Sequence, residues 1–309
     1  LFARVALSRI RQARTAAFIA ACAAALAACA AHEERRTRDT TATAHDDFGA
    51  PVVISPAARR VVSLNPTTTE TIFAIGAGDR LVGRSRWDSW PAAAQRVPAL
   101  GDGIRPNVER IVAAHPDLVL LYATEDNRPA ALQLRAAGIR VVALRIDTPA
   151  QFDASTRLIG RVLGDSAQAA LVADTVASSV ARVRAATATL PHPTVVWPLM
   201  NSTPMVVGGG SFMNDLLAAA GARNVYADLP QPSPTVSIED VVHRNPTYVI
   251  RGGEGAPTTP LGGVWQALPA VQAGRIISVP TDLVLRPSVQ MGAAAAGLAR
   301  ALHPELRLP

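Results

Sequence analysis

Lysine is absent from this chain of 309 residues; all 30 of its basic residues are arginine. That uniformity reads as compositional bias rather than as a design for binding phosphate. Cysteine is nearly as scarce, with only Cys22 and Cys29, so nothing beyond residue 29 offers a disulfide, a thiol nucleophile or a zinc site built on cysteine. Six histidines are scattered, at 32, 45, 115, 192, 243 and 303, and no pair has metal-ligand spacing. Gly-x-Ser-x-Gly is missing, as is any Ser/His/Asp ordering with local support, which argues against a hydrolase. Aromatic residues make up 4% of the chain, so a tryptophan in a loop stands out.

The long apolar run Thr15 to Ala25 is too short to cross a bilayer as a mature helix. With Arg4, Arg9, Arg11 and Arg14 before it and small residues after it, residues 1–28 read as a secretory signal. It ends in Leu26-Ala27-Ala28-Cys29, which resembles the lipobox of bacterial lipoproteins, so Cys29 is expected to carry the lipid; the alternative is an ordinary signal with an incidental cysteine. Removing the four signal arginines lowers the formal charge from +6 to +2, and the high isoelectric point then gives no reason to expect nucleic acid. Residues 29–51 hold little to bury and are expected to be a disordered tether.

What is present is a repeat. Val108-Glu109-Arg110-Ile111-Val112 through Pro116-Asp117-Leu118-Val119 returns as Ile238-Glu239-Asp240-Val241-Val242 through Pro246-Thr247-Tyr248-Val249, each a short helix, a Pro-marked turn and a buried strand. Gly78-Asp79-Arg80-Leu81-Val82 is likewise echoed by Gly221-Ala222-Arg223-Asn224-Val225. Helices alternate with strands, so the expected fold class is α/β, with two similar doubly wound lobes joined by one long α-helix. Residues 52–160 are expected to form the N-terminal lobe, 161–192 the linking backbone helix and 193–309 the C-terminal lobe. Within the linker, 165–190 lacks Pro and Gly and sets Leu171, Val172, Val176, Val180 and Val183 at helical spacing. Thr67 and Glu70 have capping-box spacing at the start of an N-lobe helix. A closing helix is expected over 288–303. Ligands favour clefts between such lobes.

In Ser63-Leu64-Asn65-Pro66-Thr67-Thr68-Thr69-Glu70, Leu81 to Trp87, Asn107 to Ile111, Pro116 to Val119 and Ser237-Ile238-Glu239, the chain resembles the periplasmic-binding proteins of ABC importers that carry cobalamin, haem or iron-siderophores, whose lobes are joined by a single helix. Among these it is most similar to the cobalamin-binding proteins. The resemblance implies a binding protein and not an enzyme, with a cobalt corrinoid or ferric chelate as cargo. It implies a permease dimer with its ATPase as partner, a monomeric state, and an exported, lipid-anchored location. Ligand contacts are implied at Asn65, Pro66 and Thr67, at Trp87 and Trp90, at Gly103 and Ile104, and at Asp282 and Arg286. Aromatics that line the cobalamin cleft in the family would fall near Gly103, Ser233 and Met205, so stacking surface is reduced here. Arg86, Arg105 and Arg286 could serve a catecholate siderophore, and no Tyr or His falls in the loops that align with haem-iron ligands.

Each site residue also has a plainer reading. Glu109 and Glu239 follow Asn107 and Ser237 in the first turn of a helix, where the dipole favours any carboxylate; the resemblance implies that the two dock on permease arginines. Trp87 and Trp90 either plug a small satellite core or offer flat, rigid surface to a ligand. Asp282 and Arg286 are either a surface pair or a loop that holds ligand, and Arg286 precedes Pro287, which favours the loop. Gly208-Gly209-Gly210-Ser211 lacks the lysine and spacing of a phosphate loop and reads as a flexible approach to a helix.

Overall fold

The computed structural model describes residues 44–200, 203–252 and 261–308, without the side chains of Thr281 and Asp282. The signal, Cys29 and most of the tether lie outside the described residues. Among those described, no helix is long and apolar enough to cross a membrane.

Asp46–Pro309 form one unit that contains two parallel sheets. The first joins β1 (Val61–Ser63), β2 (Leu81–Ser85), β3 (Ala99–Gly101), β4 (Leu118–Tyr122) and β5 (Arg140–Leu144) in the order β3-β2-β1-β4-β5. The second joins β6 (Thr194–Val196), β7 (Arg223–Asn224), β8 (Tyr248–Gly252) and β9 (Ile276–Val279) in the order β7-β6-β8-β9. In both, the chain winds outward one way and then the other, so the strand order reverses between β1 and β4 and again between β6 and β8. The repeat is therefore topological: β2 and β7 flank the first strand of their sheets, and β4 and β8 take the other side. Strand runs such as Leu118-Val119-Leu120-Leu121 are buried to the last atom because a parallel sheet is covered on both faces. Each lobe has its own core, Val62, Leu64, Ile111, Val119 and Leu134 in the first, and Val196, Tyr226, Val249, Trp265 and Leu268 in the second.

Helix α1 (Pro66–Ile75) begins differently from the sequence expectation. Asn65, not Thr67, is the N-cap: its side chain accepts from the Thr67 amide at 2.9 Å, and Pro66 takes the first helical position. Glu70 is thus no capping-box partner and is free to act elsewhere. Helices α2 (Val108–Ala113), α3 (Arg128–Ala136) and α4 (Pro149–Leu163) complete the first lobe. Thr148 and Gln151 close a capping box on α4.

The linking helix α5 covers Ser166–Thr187, about 33 Å at 1.5 Å per residue, shorter than 161–192 because α4 runs on to Leu163 and Gly164 ends it in a left-handed turn. It packs on α1 and α4 of the first lobe and on α6 (Phe212–Ala219) and α10 (Met291–Leu302) of the second. Its buried positions are Ala169, Ala173, Val176, Val183 and Thr187; Leu171, expected inward, is 57% exposed. Close approach explains this. A Cβ on Gly160 of α4 would stand 2.2 Å from Ala169 Cβ, and one on Gly292 of α10 would stand 2.0 Å from Ser179 Oγ, so small residues set both seams and a leucine has no room there. The second lobe adds α7 (Ile238–Arg244), α8 (Pro269–Gln272) and α9 (Thr281–Val284). Asp282 therefore lies in a short helix where a loop was expected. The closing helix starts at Met291, three residues later than read from sequence. Residues 208–210 are not a flexible approach either: Cβ atoms there would meet the carbonyl oxygens of Gln231, Ala227 and Pro230 at 2.1 to 2.3 Å, so glycine is required by backbone packing.

Candidate functional site

Ligands of doubly wound sheets sit beyond the carboxyl ends of the strands at the point where strand order reverses. A cleft of about 780 Å³ occupies that place between the lobes. Leu64, Asn65, Pro66 and Thr67 follow β1 and form its floor, Trp87 follows β2, and Asp102, Gly103 and Ile104 follow β3. Tyr122 ends β4, and Arg145 to Thr148 with Gln151 lead from β5 into α4. From the second lobe come Gly210, Ser211 and Phe212 at the start of α6, then Pro232, Leu285, Arg286 and Pro287.

Three large apolar side chains stand open to solvent on this cleft: Trp87 at 60%, Ile104 at 53% and Leu285 at 54% exposure. Apolar groups left wet around a concave surface mark a binding site. Arg86 stacks its guanidinium on the Trp87 ring, 4.7 Å from the centroid, and so stiffens it. Formal charge in the lining balances, with Asp102 and Asp147 against Arg145 and Arg286.

Polar chemistry beneath the cleft fixes these surfaces. Asp88 is buried, accepts from Thr69 Oγ1 at 2.5 Å and from the Ser85 amide at 3.2 Å, and also bonds Ser85 Oγ. The Trp87 amide in turn donates to Ser85 Oγ at 3.2 Å, so the network pins the tryptophan loop to α1. Burial pushes the Asp88 carboxyl above its ordinary range, its hydroxyl and amide partners offsetting only part of the effect. Tyr122 donates its hydroxyl to Asp147, and burial with that carboxylate pushes the phenol well above its usual value. A phenol so held resists becoming a phenolate. Glu70 is fully buried, takes Arg286 Nη2 at 2.5 Å and Gln290 Nε2 at 3.4 Å, and has its carboxyl pushed up by burial while Arg286 pulls the other way.

The structure brings together Asn65, Pro66, Thr67, Trp87, Gly103, Ile104 and Arg286 of the residues read from sequence. Trp90, Met205 and Ser233 stand outside the lining: Trp90 lies farther along the Trp87 loop, Met205 bridges Thr235, and Ser233 is exposed beside Pro232. The Asp282 side chain lies outside the described residues, and Arg286 pairs with Glu70 instead of a neighbour in its own loop. Arg86 and Arg105 are off the cleft too. With Arg110 they line an adjoining hollow of about 440 Å³ and pair with Asp102 at 3.6 Å and Asp126 at 3.1 Å. Tyr122, Arg145, Asp147, Gln151, Phe212 and Glu70 were not read as site residues. Among them Tyr122 and Arg145 stand at strand ends and Glu70 closes a stretch that carries the resemblance, which are the signals the sequence offers.

Glu109 and Glu239 are exposed in the first turns of α2 and α7. Asn107 accepts from the Arg110 amide at 2.9 Å and Ser237 from the Asp240 amide at 3.1 Å, so the two N-termini are built alike. In parallel sheets a helix starts at the edge where strands end, which places both carboxylates on the edge that carries the cleft. Among the described residues no cluster of His, Cys, Asp or Glu could hold a metal ion.

The sequence profile of the periplasmic binding proteins matches residues 61–283. A cobalamin-binding protein of Halobacterium salinarum is 30% identical over 278 residues, 84% of this chain and 74% of that one. An ABC transporter substrate-binding lipoprotein of Bacillus subtilis is 26% identical over 298 residues, 94% of each chain. The periplasmic haem-binding protein RhuT of Roseiflexus, in its apo form, superposes with a TM-score of 0.70 at 24% identity over 81% of this chain and all of that one, which shows the shared fold.

Proposed function

Because the chain belongs to the periplasmic binding proteins of ABC importers, we propose that its cleft captures a corrinoid of the cobalamin type and that the protein hands it to a permease dimer driven by an ATPase. The protein is a carrier and not an enzyme. One observation carries the choice of ligand: the cleft is wet, apolar and charge-balanced, with Trp87, Ile104 and Leu285 exposed and two acids set against two arginines. A flat body fringed with amides suits such a surface, since large rigid side chains bury it at low entropy cost and the polar groups fix its orientation. The cobalamin-binding relative at 30% identity supports the same reading.

A ferric siderophore is the second reading, favoured by the hollow of Arg86, Arg105 and Arg110 beside the cleft. Haem finds less support, because the cleft tyrosine is tied to Asp147 and held protonated. Placement at the cell envelope follows from the family; anchoring through a lipid on Cys29 is proposed from Leu26-Ala27-Ala28-Cys29, and the lipoprotein relative agrees with it. The carrier acts as a monomer that docks through Glu109 and Glu239, like carboxylates on like lobes facing a permease of two subunits. Tryptophan fluorescence titrated with cyanocobalamin, haemin and ferric siderophores tests the ligand. Saturable quenching by the corrinoid at lower concentration than by the other two supports the proposal, and no response to any of them at tens of micromolar removes it.

A further inference from the structure

Glu70 belongs to the first lobe, Arg286 to the second, and 216 residues of sequence separate them. Among the described residues theirs is the one ion pair that joins α1 to the segment carrying Leu285, Arg286 and Pro287. A second bond lies beside it, from Thr67 Oγ1 to the Pro287 carbonyl at 2.9 Å. Glu70 has no exposed surface, and a carboxylate taken fully out of water holds its charge only with a partner at hand. The Arg286 side chain is 22% exposed and belongs to the cleft lining, so one residue both reaches a buried acid and borders the ligand space. Its Nε is buried without an acceptor. The side chain is therefore kept in place by the pull of Glu70 and not by full satisfaction of its own donors; without that pull it gains by turning toward water, where every donor is met.

We propose that Glu70 is a positioning residue for ligand capture, holding Arg286 across the gap between the lobes so that its guanidinium forms part of the cleft and the opening between the lobes is set before ligand arrives. The proposal rests on the reading of the cleft as the ligand site. It gives the last residue of the Pro66-Thr67-Thr68-Thr69-Glu70 run a role that neither helix capping nor core packing supplies.

The test compares the full chain with Glu70→Gln, Arg286→Met and the double variant, using cyanocobalamin as probe in calorimetric titrations at low temperature. Glutamine keeps the size of Glu70 and loses its charge. Each single variant is expected to weaken binding roughly tenfold or more, and the double variant is expected to be no weaker than the worse single, because both changes break one unit. Arg286→Lys, which retains the charge, is expected to recover part of the loss. Wild-type affinity in Glu70→Gln, or losses that multiply in the double variant, would overturn the proposal.

A readout without ligand separates this from failure of the corrinoid reading. In a Cys22→Ala, Cys29→Ala background, spin labels at Leu132→Cys on α3 and Val242→Cys on α7, both exposed, report the distance between the lobes. Glu70→Gln should broaden that distribution even if no probe binds the wild type. A distribution as narrow as the wild type's in folded Glu70→Gln, or in Arg286→Met should the first variant melt too early to measure, overturns the positioning role.

Discussion

Replacing Trp87 by alanine separates a ligand surface from a structural plug. The ring is 60% exposed in the free protein. A tryptophan presents on the order of 200 Å² to burial, so about 120 Å² remains for a ligand to cover. If a flat ligand covers one face, about half of that, the transfer value of about 25 cal/mol per Å² gives about 1.5 kcal/mol, and complete coverage gives about 3 kcal/mol. Trp87→Ala should then raise the dissociation constant for cyanocobalamin by about 10- to 150-fold. Folding should lose less than binding does, because only the remaining 40% of the side chain, about 80 Å², is buried in the free protein, part of it under the Arg86 guanidinium at 4.7 Å. At about 25 cal/mol per Å² that burial contributes up to about 2 kcal/mol, which for a chain of this size moves the melting temperature by about 4 to 8 °C at most. Calorimetric titration beside a melting curve measures both quantities. Trp87→Phe, which keeps a flat ring, should fall between the two. An unchanged dissociation constant, or a large melting shift with no change in affinity, would refute the reasoning and make Trp87 a plug.

Cys29→Ala should move the protein from the membrane to the soluble fraction of the producing cell; unaltered partition would end the lipid-anchor proposal. Glu109→Ala combined with Glu239→Ala should abolish uptake while ligand affinity stays as in the wild type, since a first-turn carboxylate contributes only about 0.3 to 1 kcal/mol to its helix; normal uptake returns both to simple helix-end charges. Asp88 supplies a pH dependence: its carboxyl is raised in the folded state by burial, so the fold binds that proton more tightly than the unfolded chain does. Its contribution is fully present below the ordinary carboxylate value of 3.8 and is lost as pH rises through the raised one. The stability difference between wild type and Asp88→Asn should thus shift toward the wild type as pH falls across that window, and a difference flat with pH would contradict the assigned burial effect.

Much of this architecture is written locally. Apolar strand runs, the caps Asn107 and Ser237, and the repeated Glu, Val and Pro spacing act over a few residues, so two like lobes and a linking helix are legible in the order of residues alone. What is not legible depends on contacts far apart in sequence. Thr67 and Glu70 have the spacing of a capping box, yet Asn65 and Pro66 take the helix start and Glu70 turns to an arginine of the other lobe. Leu171 fits an amphipathic pattern, but a helix gripped from both lobes uses alanines where its neighbours come close. The wall of Tyr122 and Arg145 to Gln151 exists only once β4 and β5 stand side by side, and Phe212 joins it only when the second lobe is in place. Spacing along the chain reports none of these meetings.

On the proposed function, the cleft between the lobes holds a corrinoid in preference to a ferric chelate. Equilibrium dialysis of the full chain against cyanocobalamin, with and without an excess of haemin or a ferric catecholate, tests it most directly. One corrinoid should be retained per chain, with neither competitor displacing it even in excess. Retention of no corrinoid would exclude it as the ligand, and its ready displacement by the ferric catecholate would assign the cleft and its neighbouring arginines to an iron chelate.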